Sequence, residues 1–200
     1  MRQIRKRWMR VPAAVLVLLA APCGAGARAL ESVQGHFAVG YAQLVIVAER
    51  EIVAAPGGSV SFTGGVDIPV ASRFRAGLDI GYHLLGSRSV ERGSLSTNVS
   101  YSAFEAVAFA HWLPERLGPV GRVSLGPALV AAHADLSSAG GGAGFSDLAV
   151  GETAPGFAAE VTFISRAPTP VRLGLQLGAL WGYLSDQTWR TLSARVTVHY

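Results

Sequence analysis

From residue 33 onward, apolar and polar side chains alternate with a period of two in segment after segment. That period puts successive side chains on opposite faces of an extended strand. The pattern is cleanest towards the end of the chain. Across 171–183, Val171, Leu173, Leu175, Leu177, Ala179, Trp181 and Tyr183 share one face, and Arg172, Gly174, Gln176, Gly178, Leu180 and Gly182 share the other. Across 192–200, Leu192, Ala194, Val196, Val198 and Tyr200 alternate with Ser193, Arg195, Thr197 and His199. Weaker versions over 33–45, 58–70, 74–85, 120–133 and 156–164 predict five more strands. An eighth is predicted over 99–113. Val107, Phe109 and Leu113 suggest one outward face, with Ala106, Ala108 and Ala110 inward, but that phase turns Glu105 outward too, so the residues leave the phase open. Pro127, inside the 120–133 strand, predicts a lost ladder bond or a bulge.

The connections alternate in length. Residues 71–73, 114–119 and 165–169 are short, whereas 86–98 and 134–155 are long and polar or Gly-rich. Short turns at one end and longer loops at the other predict an up-and-down antiparallel barrel. Residues 46–57 read as a hairpin with Glu49, Arg50 and Glu51 at its tip, against a short helix as the alternative.

Volume decides which face points inward. The interior of eight strands is only wide enough for side chains to fill. One face carries Leu, Val, Phe, Trp and Tyr; the other is dominated by Gly, Ala, Ser and Thr with a few charges. Turned inward, the bulky face would overfill the lumen. Turned outward, it forms a belt suited to hydrocarbon, and the predicted fold is an all-β, eight-stranded antiparallel transmembrane β-barrel. Six inward charges, Asp67, Asp79, Glu160, Arg122, Arg172 and Arg195, predict a polar network of Arg–carboxylate pairs across the lumen. His36 and His83 are read as its hydrogen-bonding companions. Aromatics near strand ends suit two interfacial girdles: Phe74, Trp112, Phe163 and Tyr200 at one end, and Tyr82, Tyr101, Trp181 and Trp189 at the other.

Composition supports this reading. Hydrophobic residues make up 50% of the chain and charged residues only 15%, yet no segment after residue 30 offers the about 20 unbroken apolar residues of a membrane helix. The closed barrel is the other structure that satisfies its own backbone in lipid. The start of the chain differs. Residues 1–10 are basic, Val11–Ala21 are apolar, and Ala25, Ala27 and Ala29 offer A-x-A cleavage sites. The expected organisation is a cleavable signal peptide over 1–29 and a barrel domain over 30–200. The net charge of +4 belongs to the leader, since 11 Arg face 13 acids after residue 28. No basic stripe remains, so no nucleic-acid partner is expected. The single cysteine, Cys23, lies in the leader behind Pro22, which argues against lipidation and leaves no mature disulfide or thiolate metal site.

Together these features resemble the small OmpA-type outer-membrane β-barrel family. The resemblance covers about 28–200 and rests on the leader, the strand layout, the turn asymmetry and the terminal strand, Leu192 to Tyr200. It implies the bacterial outer membrane as location, with lipid and lipopolysaccharide as surroundings and a monomeric state. It also implies that Leu192, Val196, Val198 and Tyr200 form the signal presented to the barrel assembly machinery.

Chemistry is sparse. His133, Asp135 and Ser137 are the nearest approach to a hydrolase set. Gly140–Gly144 lacks the Lys-Ser or Lys-Thr of a phosphate loop. Asn98-Val-Ser100 is a sequon by spelling alone. No histidine pair has convincing metal-ligand spacing, so no cofactor is expected. The expected role is structural or surface interaction without catalysis. The alternatives are a narrow water-filled channel and a lipid-modifying enzyme, with a soluble secreted barrel outside both.

Overall fold

The computed structural model describes residues 33–48, 51–54, 56–92, 95–114, 120–137, 148–165 and 171–200. They form nine strands: β1 (Gln34–Ala48), β2 (Glu51–Ala54), β3 (Ser59–Ala71), β4 (Phe74–Arg92), β5 (Leu95–Trp112), β6 (Val120–Ser137), β7 (Leu148–Ile164), β8 (Arg172–Tyr183) and β9 (Thr188–His199). No helix long and apolar enough to cross a membrane occurs among the described residues. β1 and β3 to β9 pair antiparallel in sequence order, and β9 returns to β1 from His36↔His199 to Val47↔Thr188. The seam runs to the last residue: Gly35 N–H donates to the Tyr200 carbonyl (3.0 Å), and Tyr200 N–H donates to that of Gly35 (3.1 Å). The result is the predicted closed barrel of eight strands, which leaves no open edge around its circumference.

β2 folds back on the end of β1, with Val47↔Ile52 and Ala48↔Glu51 paired. This is the predicted hairpin; its tip, 49–50, lies outside the described residues, as does the whole leader with Ala25, Ala27 and Ala29.

Alternation sets the inside and the outside. Leu175 and Leu177 are 46% and 44% exposed, while Gln176 between them is fully buried. Val196 is 55% exposed beside Arg195 at 2%. Leu192 and Tyr200 also face outward, and Val198 is half-buried on the same face. An apolar exterior around a polar interior inverts the soluble arrangement and matches a barrel set in lipid.

Three expectations need correction. First, the phase of β5, left open by its residues, is opposite to the outward face that Val107, Phe109 and Leu113 suggest. Glu105, Val107 and Phe109 are buried inside, while Phe104, Ala110 and Trp112 are exposed. Glu105 decides the matter, because inside the lumen it meets His83 and Arg195. Second, 86–98 is mostly not a loop. β4 and β5 stay paired from Ser87↔Ser100 to Arg92↔Leu95, and β6 and β7 reach Leu136↔Leu148. A ladder standing above the hydrocarbon needs no greasy face, so the period-two signal fades while the pairing continues. Gly86 starts this extension at a bulge with φ of 82°, and a Cβ there would collide with the Gly57 carbonyl oxygen. Third, Trp189 and Tyr101 do not join the outer girdle. Trp189 is buried inside, and Tyr101 packs edge-on against it with ring centroids 5.9 Å apart.

Pro127 points outward. The β5–β6 ladder skips two pairs between Val107↔Ala128 and Ala110↔Leu125 without changing register. The proline therefore interrupts pairing locally, and no bulge forms.

Candidate functional site: a lumen divided between polar and apolar halves

The lumen fills in two different ways along its axis. Towards the short turns it is polar. Asp67, near the end of β3, is paired by Arg75 across the tight 71–74 turn. Arg75 Nη2 also donates to the Asp67 carbonyl at 3.1 Å. From the opposite wall Arg122 Nη1 lies 3.4 Å from Asp67 Oδ2. His36 Nε2 is 2.9 Å from Asp79 Oδ2, and the His36 ring stacks on His199 at 5.6 Å. His111 Nδ1 is 2.8 Å from Ser124 Oγ.

A second cluster is centred on Arg195. Its Nη2 donates to Glu160 Oε1 at 2.5 Å, and its Nη1 lies 3.8 Å from Glu105 Oε1. Gln176 donates to the other Glu160 oxygen. His83 joins Glu105 (3.1 Å) to Ser61 (2.8 Å). The chain Ser61–His83–Glu105–Arg195–Glu160–Gln176 therefore links β3, β4, β5, β9, β7 and β8 across the barrel. Inward glycines make room for it: a Cβ on Gly65 would collide with Asp79 Oδ1, and one on Gly178 would lie 2.8 Å from Arg195 Nη2. The Gly-rich inner face is thus complementary to the long charged side chains of neighbouring strands.

Of the six predicted lumen charges, Asp67, Asp79, Glu160, Arg122 and Arg195 are buried in these clusters. Arg172 is not; it is exposed at the first position of β8, paired in register with His199 at the rim. Glu105, Arg75, Ser61 and Gln176 complete the clusters and had no sequence signal as partners. Ser61 and His83 lie directly opposite each other on β3 and β4, which becomes visible only once the register is known.

Towards the long-loop end the filling turns apolar. Leu44, Ile46, Leu85, Val130, Leu180 and Trp189 are buried together, with Tyr101 and Leu184 packed against them. Ser185, in the β8–β9 turn above, donates its N–H to Glu152 Oε1 (2.7 Å) and its hydroxyl to Oε2 (3.1 Å). The plug has a faint sequence signature, since apolar neighbours occupy both phases at Leu84–Leu85, Leu129–Val130 and Leu180–Trp181.

The order Ser61, His83, Glu105 mimics a nucleophile, base and acid. Ser61 is fully buried, however, and Glu105 is shared with Arg195, so the set is a buried chain of polar contacts that no bulky substrate reaches. His133 and Asp135 are 3.1 Å apart on the exposed end of β6, and the side chain of Ser137 lies outside the described residues. No group of metal-ligating side chains occurs among the described residues.

No protein-family model matches the chain, and no curated protein matches it in sequence. Solved structures do. The barrel is similar to Ail, the attachment invasion locus protein of Yersinia pestis, solved in complex with the heparin analogue sucrose octasulfate; identity is 14%, coverage 84% of this chain and 99% of that one, and the TM-score 0.57. It is also similar to a major outer membrane protein from Thermus thermophilus, at 9% identity, 83% and 98% coverage and a TM-score of 0.55. This chain has the fold of a bacterial outer-membrane β-barrel. At these identities the likeness is one of architecture.

Proposed function

We propose that the protein is an integral outer-membrane barrel whose role is structural and interactive, carried out by the part that stands above the membrane. One observation carries this reading. β4, β5, β6 and β7 continue well past the level where β3, β8 and β9 stop, so one side of the barrel wall rises as a four-stranded sheet at the long-loop end. A sheet that no longer contacts lipid, over a lumen closed by an apolar plug, is suited to contact rather than transport. The exposed apolar belt takes lipid and lipopolysaccharide as its surroundings, and a closed barrel with no free edge around the belt suits a monomer. Leu192, Val196, Val198 and Tyr200, on the outward face of β9, suit recognition by the assembly machinery.

The heparin analogue is a ligand of Ail. At the outer end the described residues include Arg88, Arg92 and Arg190 and, in greater number, Glu51, Glu91, Asp135, Glu152 and Asp186.

The orientation is testable on whole cells. In a Cys23→Ser background, Ser89→Cys on the raised sheet is expected to react with a membrane-impermeant maleimide, and Ser72→Cys in the short turn only after cell lysis. The reverse pattern overturns the reading.

A further inference from the structure

We propose that the lumen is wet below and dry above: water and protons enter from the short-turn end, reach Arg195 and Gln176, and stop at an apolar gate centred on Trp189. The barrel is then a proton pathway held shut at its outer end. This inference goes beyond surface display and requires only that the barrel spans a bilayer.

The lower half demands water. Buried polar atoms with no hydrogen-bond partner in the protein include His111 Nε2, Arg122 Nε and Nη2, Thr162 Oγ1, Gln176 Oε1 and Arg195 Nε. They belong to β5, β6, β7, β8 and β9; with His36 Nδ1 on β1, Thr63 Oγ1 on β3 and Asp79 Oδ1 on β4, likewise unpartnered, they surround the axis. Buried polar groups are satisfied by protein or by ordered water, and these are left with water. Solvent has a way in, because Arg75 and His199 at the short-turn end are only partly buried. Between the orphan atoms stand groups that accept and donate protons, namely His36 against Asp79, and His83 between Ser61 and Glu105. An imidazole that takes a proton on one ring nitrogen and releases one from the other changes tautomer. It is reset by proton exchange with water before the next transfer.

The upper half refuses water. Leu44 and Leu85 are fully buried, and Ile46, Val130, Leu180 and Trp189 nearly so. A constriction lined by such side chains blocks conduction by dewetting. Polar atoms at this level are few: Thr191 lies opposite Leu44 and Leu180, and Trp189 Nε1 is buried without a partner. Trp189 follows the β8–β9 turn, whose Ser185 is held down by the single carboxylate of Glu152. That corner is the place where the gate can yield.

Two measurements in proteoliposomes test this. In a Cys23→Ser background, Thr162→Cys is expected to react with a small, water-soluble thiol reagent, whereas Leu44→Cys is not. An unreactive Thr162→Cys, or equal reaction at both positions, overturns the proposal. With a pH-sensitive dye inside the vesicles, the wild type is expected to match protein-free vesicles, and Trp189→Ala with Leu85→Ala to raise proton flux at least about tenfold. A double variant that remains folded, shown by a heat-dependent gel shift, yet stays as tight as the wild type overturns it. So does a wild type that already conducts as well as the variant. The cysteine pair decides the matter if the double variant does not fold.

Discussion

Below the middle of the barrel, Arg195 spans Glu105 and Glu160, and Arg122 reaches Asp67; above it, Leu44, Leu85, Val130, Leu180 and Trp189 meet with no charge among them. Both halves fill the same narrow cylinder inside the same belt of outward leucines and valines. They differ in what a deletion leaves behind. Removing one member of an ionic cluster strands a buried charge, whereas removing a plug residue leaves a hole. The polar half therefore depends on every partner being present, and the apolar half on volume.

Arg195→Ala leaves Glu105 and Glu160 facing each other without a cation. The expected cost is about 3–5 kcal/mol, read as a lower urea midpoint for unfolding from lipid vesicles. A cost below about 1 kcal/mol would mean that the cluster contributes only as a solvated surface pair does. Leu44→Ala in the plug is expected to cost about 2–4 kcal/mol, the range for a cavity in a packed core, and Leu44→Met under about 1.5 kcal/mol. Equal losses for both variants would contradict the view that the plug works by volume. Gly65→Ala pushes a methyl group against Asp79 and is expected to cost about 1–3 kcal/mol, by displacing the carboxylate from His36. Arg172→Ala, at the exposed rim, is expected to change stability by less than about 0.5 kcal/mol. A loss as large as that of Arg195→Ala would place Arg172 inside the network after all.

The same contrast explains what could be read from the residues alone. On β8 and β9, greasy and polar side chains keep strict alternation, and strand, face and pairing order follow from it. On β5 the outward face is largely alanine and the inward face carries Val107 and Phe109, so the two faces look alike. Only the partners of Glu105, from β4 and β9, fix the phase, and these lie far away in sequence. The plug escaped for a related reason. Leu85, Val130 and Leu180 have apolar neighbours on both sides, which blurs the period at the level where the interior stops being polar. Strand length escaped too, because the raised ends of β4 to β7 need no greasy outer face: on β5, Thr97 and Val99 are buried, and the exposed Asn98 and Ser100 are polar. Arg172 had the right phase and the wrong depth. Period-two patterning reports a side chain's face but not its height in the barrel.

A lipid-facing exterior around a polar lumen requires Leu175 to face hydrocarbon while Gln176 faces the lumen. Nitroxide labels placed singly at Leu175, Gln176 and Leu177 in bilayer-reconstituted protein test this through collision with oxygen, which partitions into hydrocarbon, and with a water-soluble nickel chelate. The expected result is strong oxygen relaxation at 175 and 177 and weak relaxation at 176. Oxygen relaxation highest at 176, or strong nickel relaxation at 175 and 177, would contradict it.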